Sequence, residues 1–181
     1  VYVSGTTNEG TTHATEVTKF TPQGQWGENF PGLIGTYSNR FGEPAGAEST
    51  GGPVATLSDG SILIAGNASL IGGGHGLLIV HLSSGGTLDS SFGQHAGYSI
   101  IDASDPGSPT SFSYADDIVV GPDREIYVVG NTYDAAEEQE LMIARFTPTG
   151  GLDFTFGSGG VKRIQLAGAG QRSWGSALAL Q

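Results

Sequence analysis

The chain repeats itself, and the repeat constrains its fold more than any other feature. Phe20-Thr-Pro-Gln-Gly-Gln-Trp26-Gly-Glu-Asn-Phe30, Leu82-Ser-Ser-Gly-Gly-Thr-Leu88-Asp-Ser-Ser-Phe92-Gly93 and Phe146-Thr-Pro-Thr-Gly-Gly-Leu152-Asp-Phe-Thr-Phe156-Gly157 align in order, 62 and 64 residues apart. Upstream of each lies a short apolar run ending in glycine: 1–5, 62–66 and 126–130. A further apolar element occurs at Val54–Leu57, Ile118–Gly121 and Leu178–Gln181.

These pieces read as strands. Residues 62–65, 77–82, 126–129 and 141–146 are apolar runs of four to six residues, mostly β-branched or aromatic, bounded by Gly, Asn or Pro. Thr21-Pro22-Gln23-Gly24 and Thr147-Pro148-Thr149-Gly150 fit type I turns, with proline presetting φ at the second position. Asp59-Gly60 signals a tight hairpin, whereas Pro122-Asp123-Arg124-Glu125 holds the same place without glycine. A weaker fourth strand is expected at 97–101 and again at 160–166. The middle strands are apolar on both faces, unlike a half-solvated antiparallel strand, which alternates. Four-stranded blades stacked radially as a β-propeller satisfy that pattern. A two-sheet sandwich or a parallel β-helix are the alternatives, and four hairpin strands per sixty-odd residues favour the propeller.

At these residues the chain resembles the delta-60 repeat family of bacterial β-propeller proteins. Leu88-Asp89-Ser-Ser-Phe92-Gly93 and Leu152-Asp153-Phe-Thr-Phe156-Gly157 carry its motif, and the first copy departs with Trp26, Gly27 and Pro31. The resemblance covers nearly the whole chain. It implies a propeller in a secreted or cell-surface setting, and it supplies no catalytic residues.

The expected class is therefore all-β: a β-propeller of four-stranded antiparallel blades, with about three blades' worth of material. Residues 1–51 would supply strands two to four of a first blade, 52–114 a second blade, 115–174 a third, and 175–181 the first strand of a further or ring-closing blade. Propellers close with about four to eight blades. The expected partners are thus the remaining blades of a longer chain, or further copies of this one.

Composition narrows the chemistry. With 18 acidic against 7 basic residues and a formal charge of −11, the chain lacks the basic footprint of a nucleic-acid binder. No apolar run approaches the roughly 18 residues of a membrane-spanning helix. The absence of cysteine excludes disulfides, thiolate catalysis and zinc knuckles. His13, His75, His81 and His95 share no ligand spacing and no repeat position, and read as isolated loop or blade histidines. Asp102 and Asp105, in a tight acidic loop, are the candidates for Ca²⁺, although the Asp-x-Asp-x-Asp-Gly pattern is missing. Asp134, Glu137, Glu138 and Glu140 crowd one hairpin tip, which reads as solvated. Asp89 and Asp153 recur and so read as turn acceptors; Leu88, Leu152, Phe92 and Phe156 read as core between blades. Asn67-Ala68-Ser69 is a formal glycosylation acceptor. Tyr37, Tyr98, Tyr133 and Trp174 could form an aromatic platform for a glycan or peptide.

No catalytic constellation emerges. The eighteen carboxylates offer many pairs for glycoside cleavage, and nothing singles one out. The innermost strands are expected to begin near Pro53, Asp116 and Ser176, a mostly uncharged set. Loops 6–14, 67–75 and 131–140 differ while the strands repeat, a division of labour that suits binding. The expected function is a non-catalytic extracellular or cell-surface scaffold that binds a protein or glycan through its loops. The alternative is a propeller enzyme: a polysaccharide lyase, a glycosidase or a quinone-dependent dehydrogenase.

Overall fold

In the computed structural model, residues 1–27, 36–42, 47–106, 108, 111–166, 168 and 171–181 are described. Among them there is no helix, and hence none that could cross a membrane. Among the described residues, eleven strands form three antiparallel sheets. The first contains β1 (Tyr2–Glu9), β2 (Thr12–Lys19) and β3 (Thr36–Asn39) in that order. The second contains β4 (Ser49–Thr56), β5 (Ile62–Ser69), β6 (His75–Leu82) and β7 (Tyr98–Ile101). The third contains β8 (Tyr114–Val120), β9 (Ile126–Tyr133), β10 (Gln139–Phe146) and β11 (Val161–Ile164). All are consecutive hairpins, as the repeat requires. The two complete sheets are propeller blades, and the first sheet is a blade seen without an innermost strand.

The doubly apolar strands lie where their pattern demands. Along β5 and β6, Ile62, Ile64, Leu78, Val80 and Leu82 are buried against the first sheet together with Val17 and Phe41. The alternate residues Leu63, Ala65, Leu77 and Ile79 are buried against Ile126, Val128, Met142 and Ala144 of the third sheet. Every second residue therefore serves a different core, and the strand has no solvated face.

Turn chemistry follows the sequence closely. Gly24, Gly60, Gly86 and Gly150 all take positive φ, and the N–H of each closes a turn onto the carbonyl three residues back. Where Gly60 is replaced by Arg124, the arginine itself adopts φ 68°. It closes the same turn onto Gly121 and reaches back to Asp59 at 3.1 Å, which links the two blades.

The blades differ from expectation in three places. β4 begins at Ser49 and β8 at Tyr114, so both blades start ahead of the expected boundaries at 52 and 115. Each innermost strand carries a bulge, between Gly51 and Val54 in β4 and between Ala115 and Asp117 in β8. The register therefore sets Gly52, rather than Pro53, level with Asp116. Phe92 is buried beneath the Gly150 turn of the next blade. Phe156 is half-buried, on a face of the third sheet over which the described residues place no further sheet. Phe30 and Pro31 of the first motif lie outside the described residues.

Residues 171–181 form no strand, yet they leave the third blade as 111–118 leave the second. The Ser113 N–H donates to the His75 carbonyl, and the Ser173 N–H donates to that of Gln139. Buried Ser49, Ser113 and Ser173 each accept a backbone N–H through Oγ, from Phe41 (3.1 Å), Ala103 (3.2 Å) and Leu166 (2.9 Å). This serine knot fastens the crossing from one blade to the next. Ser113→Ala leaves the Ala103 N–H unpaired in a dry site and is expected to cost about 1–2 kcal/mol. Urea denaturation checks this, and an unchanged midpoint would mean that the knot holds nothing.

Candidate functional site

The two ends of the blades are built differently. One end carries the repeated motif, in the turns 57–61, 121–125, 83–97 and 147–160. The other carries the hairpin turns 9–12, 69–75 and 133–139, none of which repeats in sequence, and the crossing from β7 to β8, where the knot serine recurs.

At the repeated end, Asp89 and Asp153 are turn acceptors, as their recurrence suggested. Asp89 Oδ1 accepts the Ser91 N–H and hydroxyl, and Asp153 Oδ1 accepts those of Thr155. The second carboxylate oxygen of each meets a side chain from the preceding strand: His81 Nδ1 at 3.0 Å from Asp89, and Arg145 at 2.8 Å from Asp153. His81 and Arg145 are equivalent positions, and Lys19 is the third. Opposite Lys19 the motif has Gly27 in place of aspartate, and the ammonium lies over the Tyr2 ring instead. Thus the second partner of each recurring aspartate is a basic residue, which spacing alone had not revealed.

The cleft beside His81 is lined by Asp59, Ser61, Ser83 and Asp89, and its residue types resemble a hydrolytic triad. Its geometry does not. His81 Nε2 is buried with no hydrogen-bond partner, so no serine stands where a nucleophile must. Arg145 Nε is orphaned in the same way, and both side chains lie against the motif phenylalanine: His81 on Phe92 at 5.1 Å and Arg145 on Phe156 at 5.0 Å. The histidine is one version of a structural position.

The variable end holds an aromatic cluster. Phe112 contacts His75 (5.4 Å), Tyr114 (6.2 Å) and Tyr133 (6.2 Å), all half-buried, where β8 starts and β9 ends. Burial, reinforced by Tyr133, pushes the Tyr114 hydroxyl above its ordinary pKa. Trp174, the next-blade counterpart of Tyr114, is 61% exposed, and Ile71 on the adjoining loop is 76% exposed. Of the expected platform, Tyr133 and Trp174 lie at this end. Tyr98 instead packs on Phe41 and His95, and the side chain of Tyr37 lies outside the described residues.

Beside the cluster, a cleft of about 440 Å³ is lined by Asp105, Glu140, Ser158, Lys162 and Arg163. Arg163 donates to the Ala103 and Ser104 carbonyls, which ties the third blade to the second. The calcium candidates are not brought together with a third ligand. Asp102 accepts hydrogen bonds from Ser104 on one oxygen and from the Ser111 hydroxyl on the other, while the Asp105 N–H caps the Tyr133 carbonyl. Among the described residues no three His, Asp or Glu side chains gather as a metal site. The acidic tip is likewise a turn: Asp134 Oδ1 accepts the N–H groups of Ala136 and Glu138. Nearest the inner strand, Asp116 accepts from Asn131 (2.8 Å), and Asp117 accepts the N–H groups of Ile118 (2.9 Å) and Leu178 (2.7 Å). Asn67, the formal glycosylation acceptor, is half-buried in β5 and accepts from Thr50.

The carboxylates divide into two groups by direction of shift. Hydrogen bonds from Ser61, Ser91 and Thr155 hold Asp59, Asp89 and Asp153 below the ordinary value of 3.8. Partial desolvation raises Asp116, although its side chain is exposed, above 3.8; desolvation, then Asp134 and Asp105, raise the half-buried Glu140 above 4.5. A lowered carboxyl stabilises the fold while ionised, and that stability is lost as pH falls through its folded pKa. A raised carboxyl destabilises the fold once ionised, so mild acidification restores stability. The thermal midpoint should therefore rise as pH is lowered from neutral through the raised carboxyls, then fall as pH passes on through the lowered ones. A midpoint that only falls on acidification would contradict the partial desolvation of Asp116 and Glu140.

Residues 57–92 and 121–156 match the family model described as a domain of unknown function (DUF5122) beta-propeller. No curated protein matches the chain. Each matched stretch runs from the turn before the glycine-ended strand to the phenylalanine of the motif, once in each complete blade. The comparison thus agrees with the geometry: this is a β-propeller repeat.

Proposed function

We propose that the chain is part of a non-catalytic, secreted or cell-surface propeller of the delta-60 repeat kind, which binds a protein or glycan partner at its variable-loop end. The observation that carries this reading is the segregation of the two ends. The repeated turns, two of them with an aspartate and its basic partner, lie at one end; the unrepeated hairpin loops and the aromatic cluster lie at the other. A rigid framework with sequence-free loops at one end is the arrangement of a binding module. Tyrosine and phenylalanine rings suit it, because they offer a large contact area at low entropic cost. The secreted setting rests on the resemblance of the motif alone.

The enzyme alternative requires free polar groups converging near the axis. Asp116 and Asp117, the carboxylates on the described inner strands, are instead engaged: Asp116 with Asn131 of its own blade, and Asp117 with the Ile118 and Leu178 N–H groups. Asp102 is similarly occupied in its turn, so the reading includes no calcium.

An array of immobilised glycans and surface proteins, run beside assays for lyase, glycosidase and dehydrogenase turnover, tests the reading. Binding without turnover is expected, unchanged by EDTA, weakened at least about tenfold by Phe112→Ala with Tyr133→Ala, and indifferent to Thr149→Ala at the repeated end. Turnover of any arrayed substrate, or binding abolished by EDTA, would overturn it.

A further inference from the structure

Negative charge is unevenly placed between the two ends of the second and third blades. At the repeated end the turn aspartates each meet a basic side chain: Asp59 meets Arg124 at 3.1 Å, Asp89 meets His81 at 3.0 Å and Asp153 meets Arg145 at 2.8 Å. At the variable end the crossing after β7 carries Asp102 and Asp105, and the β9–β10 hairpin carries Asp134, Glu137, Glu138 and Glu140. Asp105 and Glu140 line one cleft, and Asp134 and Asp105 both lie close enough to oppose the ionisation of Glu140. Arg163 is the cation that acts on Glu140, and its Nε and Nη2 already donate to the Ala103 and Ser104 carbonyls. Lys162, opposite Ile143, lines the cleft farther along β10. Like charges gathered in this way repel, and a partner of opposite charge relieves the repulsion.

The same surface presents the aromatic cluster. The Asp105 N–H donates to the Tyr133 carbonyl, which holds the acidic crossing against the strand that carries Tyr133. Phe112 and Tyr133 meet edge to face at 6.2 Å, both half-buried, and Ile71 stands exposed on the adjoining loop. An aromatic face attracts a cation through its quadrupole. Lysine and arginine also lay an apolar stem along such a surface while the head group stays polar. Rings bordered by carboxylates therefore suit these two side chains better than a sugar. A neutral glycan uses the rings alone, and an acidic one is repelled.

We propose that this face, from the cleft of Asp105 and Glu140 to the Phe112–Tyr133 cluster, is an interaction surface for a basic polypeptide segment. Its lysine or arginine side chains lie over the rings and place their head groups among the carboxylates. The proposal rests on the loop-binding reading and narrows the partner from protein or glycan to a cationic polypeptide. The matched charges steer the encounter and set its dependence on salt.

Fluorescence anisotropy on the full chain tests it, with a labelled peptide of alternating arginine and glycine as the probe and its glutamate counterpart as the control. The basic peptide should bind and the acidic one should not, and raising ionic strength from about 0.02 M to about 0.2 M should weaken binding at least about fivefold. Glu137→Gln with Glu140→Gln should also weaken it about fivefold, whereas Asp123→Asn with Glu125→Gln, which removes the same charge at the repeated end, should change it less than about twofold. Should the first pair fail to fold, Asp105→Asn takes its place. Equal binding of the two peptides, indifference to salt, or equal losses from the two pairs would overturn the proposal. An arrayed partner lost with Phe112→Ala and Tyr133→Ala, yet untouched by Glu137→Gln with Glu140→Gln, would overturn it as well and leave the loop-binding reading standing.

Discussion

The structure depends on one constraint: a central sheet must bury both of its faces. Alternate residues of β5 and β6 enter different apolar cores, one shared with the preceding sheet and one with the following sheet. A strand of this kind cannot stand at a solvated surface without exposing a row of Ile, Leu and Val. Burial of a large aliphatic side chain is worth roughly 1.5–3 kcal/mol. Individual turns and ion pairs contribute less, and mainly fix the register in which that burial occurs.

Polar groups then specify how blades follow one another. The serine knot at Ser49, Ser113 and Ser173 fastens each crossing. Arg163 and Arg124 reach from the third blade to the second, one to backbone carbonyls and one to Asp59. Glycine allows the tight approach of the bulged inner strand in each complete blade. These devices gather at the crossings and the repeated turns, which leaves the hairpin loops 9–12, 69–75 and 133–139 free to vary.

Much of this was legible in the sequence, because a repeat displays the same physical requirement more than once. Asp89 and Asp153 could be read as turn acceptors since both precede Ser or Thr by two residues, the spacing at which a carboxylate reaches the N–H. The recurring glycine at 66 and 130 was visible, but its cause was not, because the overlapping carbonyl belongs to a strand a dozen or more residues earlier. The serines at 49, 113 and 173 recur too, but serine is common, and only burial separates these from the rest. The aromatic cluster joins His75, Phe112, Tyr114 and Tyr133 from three segments, and no local pattern announces it. Phe92 is buried under the Gly150 turn of the next sheet, whereas Phe156 is half-buried among the described residues.

Adjacent residues Ile79 and Val80 point into opposite cores, and both are fully buried. Chemical denaturation of Ile79→Ala and Val80→Ala, measured separately, therefore tests the two-sided sheet most directly. The account predicts that each substitution lowers stability by about 2–4 kcal/mol. If either one stays within about 0.5 kcal/mol of wild type, one face of the sheet is open to water and the stacking of blades is wrong.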